Sequence, residues 1–148
     1  MAFLSSMDIS GSALTAERVR MDVISENIAN AATTRTQEGG PYRRKMVVFE
    51  QTGEQKSFRR ILEDNLNNTE QSQGGVKVAS IVEDPSDFNT VYDPTNPDAD
   101  ANGYVKMPNV DQTKETLDMM SSTTSYNANL TAFNAIKTMA SRALEMGR

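Results

Sequence analysis

The side chains in this chain that could do chemistry are carboxylates, cations and hydroxyls, because its 148 residues include no histidine and no cysteine. That removes most zinc sites, thiol nucleophiles, imidazole bases and any disulfide framework. The sharpest site-like spacing is Asp98, Asp100, Asn102, Gly103, which reproduces the D-x-D-x-N-G opening of a calcium loop. Its ending does not follow. Asn109, preceded by Pro108, stands where a bidentate glutamate belongs, and the approach is a Pro-containing loop where a helix should be. A turn in which Asp and Asn bond their own backbone is the better reading. Glu83, Asp84 and Asp87 also cluster, but they flank Pro85 without pocket-forming neighbours, which suits a turn better than an acid-base pair. Arg43, Arg44 and Lys45 could grip an acidic neighbour or a lipid headgroup. Three cations opening a strand read better as a sheet edge or a contact with another subunit, and Tyr42 stands beside them. No enzyme activity, metal or cofactor is expected, and no small-molecule substrate.

The overall balance narrows the partners. A net charge of -5 and a pI near 4.8 argue against nucleic acid, since neutralising phosphates needs a basic face. With 37% apolar residues and a mean hydropathy of -0.55, the chain has material for a modest core. The first cation is Arg18, so no basic region precedes the early apolar residues and no cleavable secretory signal is expected. No run reaches the roughly 18 apolar residues that a membrane-spanning helix needs.

The elements that must position these groups are two long helices and a small insert. From Phe3 to Ala31, the residues Phe3, Met7, Leu14, Met21, Ile24, Ile28 and Ala31 fall on one heptad seam, with Ser10 and Glu17 as its exceptions. Ile9, Ala13, Ala16, Val19 and Val23 form a second line, and Ser5 or Ser6 is placed to cap the start. Gly39, Gly40 and Pro41 end that region, with a boundary near residue 34. Strand patterns follow at Tyr42 to Gln51 and at Val76 to Val82, with Phe88 to Tyr92 expected as the return strand of the latter. Phe58, Ile61, Leu62 and Leu66 suggest a short helix or a loop, and Asn102 and Gly103 a tight hairpin turn into Tyr104.

Asp111 is the expected cap of the last helix, with Glu115 a favourable charge in its first turn. Met119 to Ile136 carries no charge, and Tyr126, Leu130, Phe133, Ile136, Ala140 and Leu144 recur at helical spacing beside a small-residue line of Ala128, Ala132, Ala135 and Met139. Ser121 to Ser125 is expected to bend or fray this helix, since its hydroxyls compete for backbone hydrogen bonds. The fold class is therefore mainly α with a small β-rich insert. Residues 1–34 and 110–148 supply long helices pairing as a coiled coil, and 35–109 supplies short antiparallel strands and loops.

The segment Ser25-Glu26-Asn27-Ile28-Ala29-Asn30-Ala31-Ala32-Thr33-Thr34 resembles the N-terminal signature of the bacterial flagellar axial proteins, the rod, hook and hook-associated subunits. Gly39 to Lys45, Gly75 to Val78 with Val82 to Pro85, and Gly103 to Val105 with Met107 to Val110 narrow the resemblance to the C-type proximal rod proteins of the basal body. The ending from Tyr126 to Arg148 is similar to that family too. The resemblance implies a subunit exported unfolded by the flagellar type III apparatus, without a cleaved signal. It would polymerise with copies of itself and other rod proteins into the helical drive shaft that carries motor torque across the cell envelope. The terminal helices would pair in the inner tube wall with the insert outside. Assembly contacts are then expected at Met21, Ile24, Asn27, Ile28, Asn30, Tyr126, Asn129, Leu130, Phe133, Asn134, Ile136, Met139 and Leu144. Further contacts are expected in the insert at Tyr42, Arg43, Arg44 and Lys45. The competing reading is a soluble helical-hairpin binding module whose β insert takes a ligand.

Overall fold

The computed structural model of the chain describes residues 2–37, 39–53 and 74–146, with the expected helix or loop around Phe58 to Leu66 outside them. Helix α1 is Ala2–Ala29 and helix α2 is Gln112–Met146, and between them lie β1 (Lys45–Gln51), β2 (Val76–Glu83), β3 (Asn89–Tyr92) and β4 (Tyr104–Met107). The architecture is mainly helical with a β insert made of two small antiparallel sheets.

Helix α1 starts earlier than the Ser5 or Ser6 cap implied, so both serines lie inside its first turns. It stops at Ala29, where Asn30 donates both its backbone N–H (3.0 Å) and its side-chain amide (2.9 Å) to the Glu26 carbonyl. Helix α2 opens on Asp111, whose carboxylate accepts from the amides of Thr113 (2.9 Å) and Lys114 (3.3 Å), as an N-cap should. It then runs without interruption through Ser121 to Ser125, contrary to the expected joint. The hydroxyls there bond within the helix instead of unwinding it. Thr123 and Thr124 donate to the carbonyls of Met119 and Met120 at 2.8 and 2.9 Å, and Ser122 donates across to Glu17 of α1. The two helices lie side by side in opposite directions, since Asn27 meets Glu115 at one end while Glu17 and Met21 meet Ser122 and Thr123 farther along.

The strand pairing differs from expectation. Strand β2 pairs with β1 in the register Lys45↔Glu83, Val47↔Ile81 and Gln51↔Val76, and β3 pairs with β4. Asp84 is the reason. Its carboxylate turns back on the Ser86 amide (2.9 Å), and its own N–H goes to the Arg44 carbonyl (2.8 Å), so the chain leaves β2 without a hairpin. Tyr42 stands before β1, its N–H on Thr33. The β3–β4 connection is also longer than a tight turn, running from Asp93 to Gly103, where Gly103 adopts φ +80.

The β1–β2 pair lies along α1. At one end the Val76 amide donates to Ser12 Oγ (3.1 Å), and at the other Lys45 meets Asn27. Lengths match: Ser12 to Asn27 rises about 22 Å at ~1.5 Å per residue, and a seven-residue strand spans about 23 Å at ~3.3 Å per residue. Gly75 permits the close approach, because a Cβ there would fall 2.9 Å from the Ser12 hydroxyl. The buried apolar positions gather around this junction at Ala16, Val23, Ile24, Tyr42, Val105 and Val110.

Candidate functional site

Two regions of the molecule contrast in chemistry. The first is a polar cluster at the root of the insert, centred on Asn27, which is 1% exposed. Its carbonyl oxygen accepts from the Tyr42 hydroxyl and the Lys45 amide, both at 2.9 Å, and its NH2 donates to the Lys45 carbonyl and to Glu115 Oε2, again at 2.9 Å. Each half of the amide is thus doubly satisfied. The other Glu115 oxygen takes Arg44 Nε at 2.6 Å, and the remaining guanidinium nitrogens reach Asp84 at 3.4 Å and Asp118 at 3.5 Å. Asn109 closes the ring. It accepts the Arg44 amide at 2.8 Å and donates to Ser86 Oγ at 2.9 Å and to the Asp84 carbonyl at 3.2 Å.

The electrostatics follow from this geometry. Burial opposes the Arg44 charge, but hydrogen bonding and attraction from Glu115, then Asp84, more than compensate and raise its pKa. The Ser86 amide and hydroxyl, helped by Arg44, hold the Asp84 carboxyl below the usual carboxylate range. Burial above all, with the charges of Glu26, Glu115 and Glu83, pushes the Tyr42 phenol up to about 12. No buried side-chain nitrogen or oxygen among the described residues lacks a partner. The cluster is therefore a joint whose buried polar groups satisfy one another.

The three cations expected at an edge or subunit contact also have partners within the chain. Arg43 donates to the carbonyls of Asp84 (2.8 Å) and Ser86 (3.0 Å) and lies 4.3 Å over the Phe88 ring, and Lys45 pairs with Glu26. Asp100 accepts from the amides of Asn102 (2.9 Å) and Tyr104 (3.0 Å), which lower its pKa, and Asp98 accepts from Thr34 at 2.8 Å. The calcium-like spacing is used as a turn.

The second region is α2 beyond its first two turns. Ser122, Tyr126, Asn129, Phe133, Ile136 and Ala140 form its buried or half-buried side, in line with Glu115 and Met119. On the opposite side Leu117, Met120, Thr124, Ala128, Thr131, Ala135 and Thr138 recur at steps of three and four, all exposed and none charged. Thr124, Thr131 and Thr138 each donate their hydroxyl to the carbonyl four residues earlier, at 2.9 Å. With the hydroxyls turned inward, the surface presents methyl groups. This stripe is about 32 Å long at ~1.5 Å per residue.

The expected assembly residues divide between the two sides. Ile24 and Asn27 are buried within the chain, Asn27 between the insert and α2. Met21, Ile28, Asn30, Tyr126, Asn129, Phe133 and Ile136 are half-buried, whereas Leu130, Asn134, Met139 and Leu144 are exposed. Ser86 is not singled out by its sequence context, and Glu115 and Asn109 stand out there as a first-turn charge and as part of a resemblance stretch, not as members of a buried cluster. The available signal was position, since Glu115 continues the inward seam of α2, where a lone carboxylate requires a buried partner.

Residues 7–36 match the family described as flagella basal body rod protein, and residues 101–146 match the family described as flagellar basal body rod FlgEFG protein C-terminal. The flagellar basal-body rod protein FlgC of Bacillus subtilis is 54% identical over the whole of both chains. That of Salmonella typhimurium is 43% identical over the whole of both. That of Aquifex aeolicus is 37% identical over 98% of this chain and 97% of its own. The chain belongs to the FlgC family of flagellar basal-body rod proteins. It is a structural component of the rod and not an enzyme. No helix among the described residues is long and apolar enough to cross a membrane. The stretches that carry the resemblance to rod proteins meet at one place. Asn27, Tyr42 to Lys45, Asp84 and Asn109 come from four of those stretches, and all of them are members of the polar cluster.

Proposed function

We propose that this rod protein polymerises, with copies of itself and with other rod proteins, through its terminal helices into the proximal part of the drive shaft, and there transmits motor torque. The observation that carries the reading is the outward stripe of α2, which is long, exposed and uncharged. Monomer surfaces rarely leave such a strip uncovered, and small residues allow another helix to approach closely. Contacts between unlike patches, repeated without closing, yield an open helical tube.

In this reading the chain travels unfolded through the type III export apparatus, without a cleaved signal, and folds where it assembles. The polar cluster fixes the insert rigidly on the helix pair, so that force on one passes to the other. The test is incorporation. Ala132→Asp places a charge on the exposed side of α2 while leaving the buried side intact. Cells making only this variant should synthesise the protein yet lack a complete rod and fail to swim; motile cells with normal basal bodies would refute the reading.

A further inference from the structure

The two ends of the molecule are unlike, and each is incomplete in a way that suits the other. Opposite pairing of the helices sets Asn27 beside Glu115 and Glu17 beside Ser122, so α2 runs past the start of α1. Residues 141–146 are consequently exposed all the way round, with Leu144 at 77% and Met146 at 83%. Glu145 stands between these two residues and Arg142 two positions before Leu144, and neither has an ion-pair partner among the described residues. Near the other end, an open groove of about 320 Å³ lies between α1, β1 and the first turns of α2. Val23, Met46, Val47 and Phe49 are its apolar lining, Arg20 and Asp118 are charged members of it, and the already bonded residues of the polar cluster line most of the rest. Among the described residues Arg20 also lacks an ion-pair partner, and Asp118 only shares Arg44.

We propose that the exposed end of α2 in one copy docks in this groove of a second copy, a contact that rests on the assembly reading above. Leu144 and Met146 would enter between the apolar walls, where anchors of this kind contribute most when desolvated. Glu145 would face Arg20 and Arg142 would face Asp118, so the charges are complementary as well as the shapes. A knob at one end and a groove at the other make a heterologous contact, which extends from copy to copy without closing.

The absence of cysteine allows a direct test with the full chain. Leu144→Cys and Val47→Cys preparations are mixed under mild oxidation at concentrations where the protein associates, with Leu144→Cys plus Val91→Cys as the control. Val91 is exposed on β3, outside the groove. The disulfide-linked dimer should form several-fold more with Val47→Cys than with the control. In parallel, Arg20→Glu should weaken association about threefold, as befits a rim charge pair, and adding Glu145→Arg to the same chain should restore it. Association with equal cross-linking in both mixtures, or a double variant no better than the single, would overturn the docking while leaving assembly standing. A chain that stays monomeric at every concentration would remove both.

Discussion

The root of the insert and the outer side of α2 are built from opposite materials. At the root, a buried amide, a buried carboxylate and a guanidinium are joined so that each buried polar atom has a partner. Along α2, an exposed strip has neither charge nor free hydroxyl to offer water. The first region satisfies its polar side chains within one chain, whereas the second, on the assembly reading, is covered by something outside it. A family motif can therefore report on how a subunit holds its own shape, while the surface we propose joins subunits is written in undistinguished alanines and threonines.

The largest effect should come from breaking the first region. Glu115→Ala strips Arg44 of its closest partner and Asn27 of an acceptor, leaving Arg44 only its longer contacts to Asp84 and Asp118, which costs roughly 1 to 3 kcal/mol. Thermal or urea unfolding of the variant should show that loss. Ala128→Asp is the converse. It lies on the exposed strip, so folding should change by under about 1 kcal/mol, while assembly followed by sedimentation should be abolished. If Ala128→Asp unfolds the chain as Glu115→Ala does, or assembles normally, the division between the two regions is wrong. Phe133→Asp sharpens the same contrast, because its half-buried position makes it lose both stability and assembly.

Next in size is a pH effect confined to the root. Tyr42 titrates at about 12 in the folded chain against 10.0 for an ordinary phenol, chiefly through burial. The folded state holds that proton more tightly, so its stability is intact below pH 10 and falls as pH rises from about 10 to 12. Unfolding measured across that range should show the decline, and Tyr42→Phe should flatten it. A decline of equal slope in Tyr42→Phe would show that another group is responsible.

Much of this was legible in the residues, for reasons that also explain the rest. Both helices were readable because a seam repeated over many turns averages out local exceptions, and Asp111 announced its cap. The exceptions themselves carried information of another kind. Glu17 interrupts one seam and Ser122 the facing one, and they bond each other. Strand partners were not legible, since β2 joins β1 from across the intervening residues, and only the Asp84 turn decides between that partner and β3. Nor could spacing reveal that Arg44 faces inward: an edge cation and a buried one look alike until the distant Glu115 is placed beside it.

The smallest expected effect concerns Ser121 to Ser125, where sequence and structure part most clearly. Hydroxyls that compete with the backbone favour fraying only if the competing bond replaces a helical one. Here Thr123 and Thr124 add a second donor to carbonyls four residues back, as Thr131 and Thr138 do farther along. Removing one such bond by Thr124→Val should shift stability by under about 0.5 kcal/mol, because the hydroxyl is exposed and water can replace it in neither direction at much gain. Hydrogen exchange gives the sharper reading. Amides of residues 121–125 should be protected as well as those of 126–130, since Ser122 is fully buried against Glu17 of α1. Exchange near the unprotected rate at 121–125 alone would restore the broken helix that the five hydroxyl residues first suggested, and would move the rigid part of α2 to the far side of Tyr126.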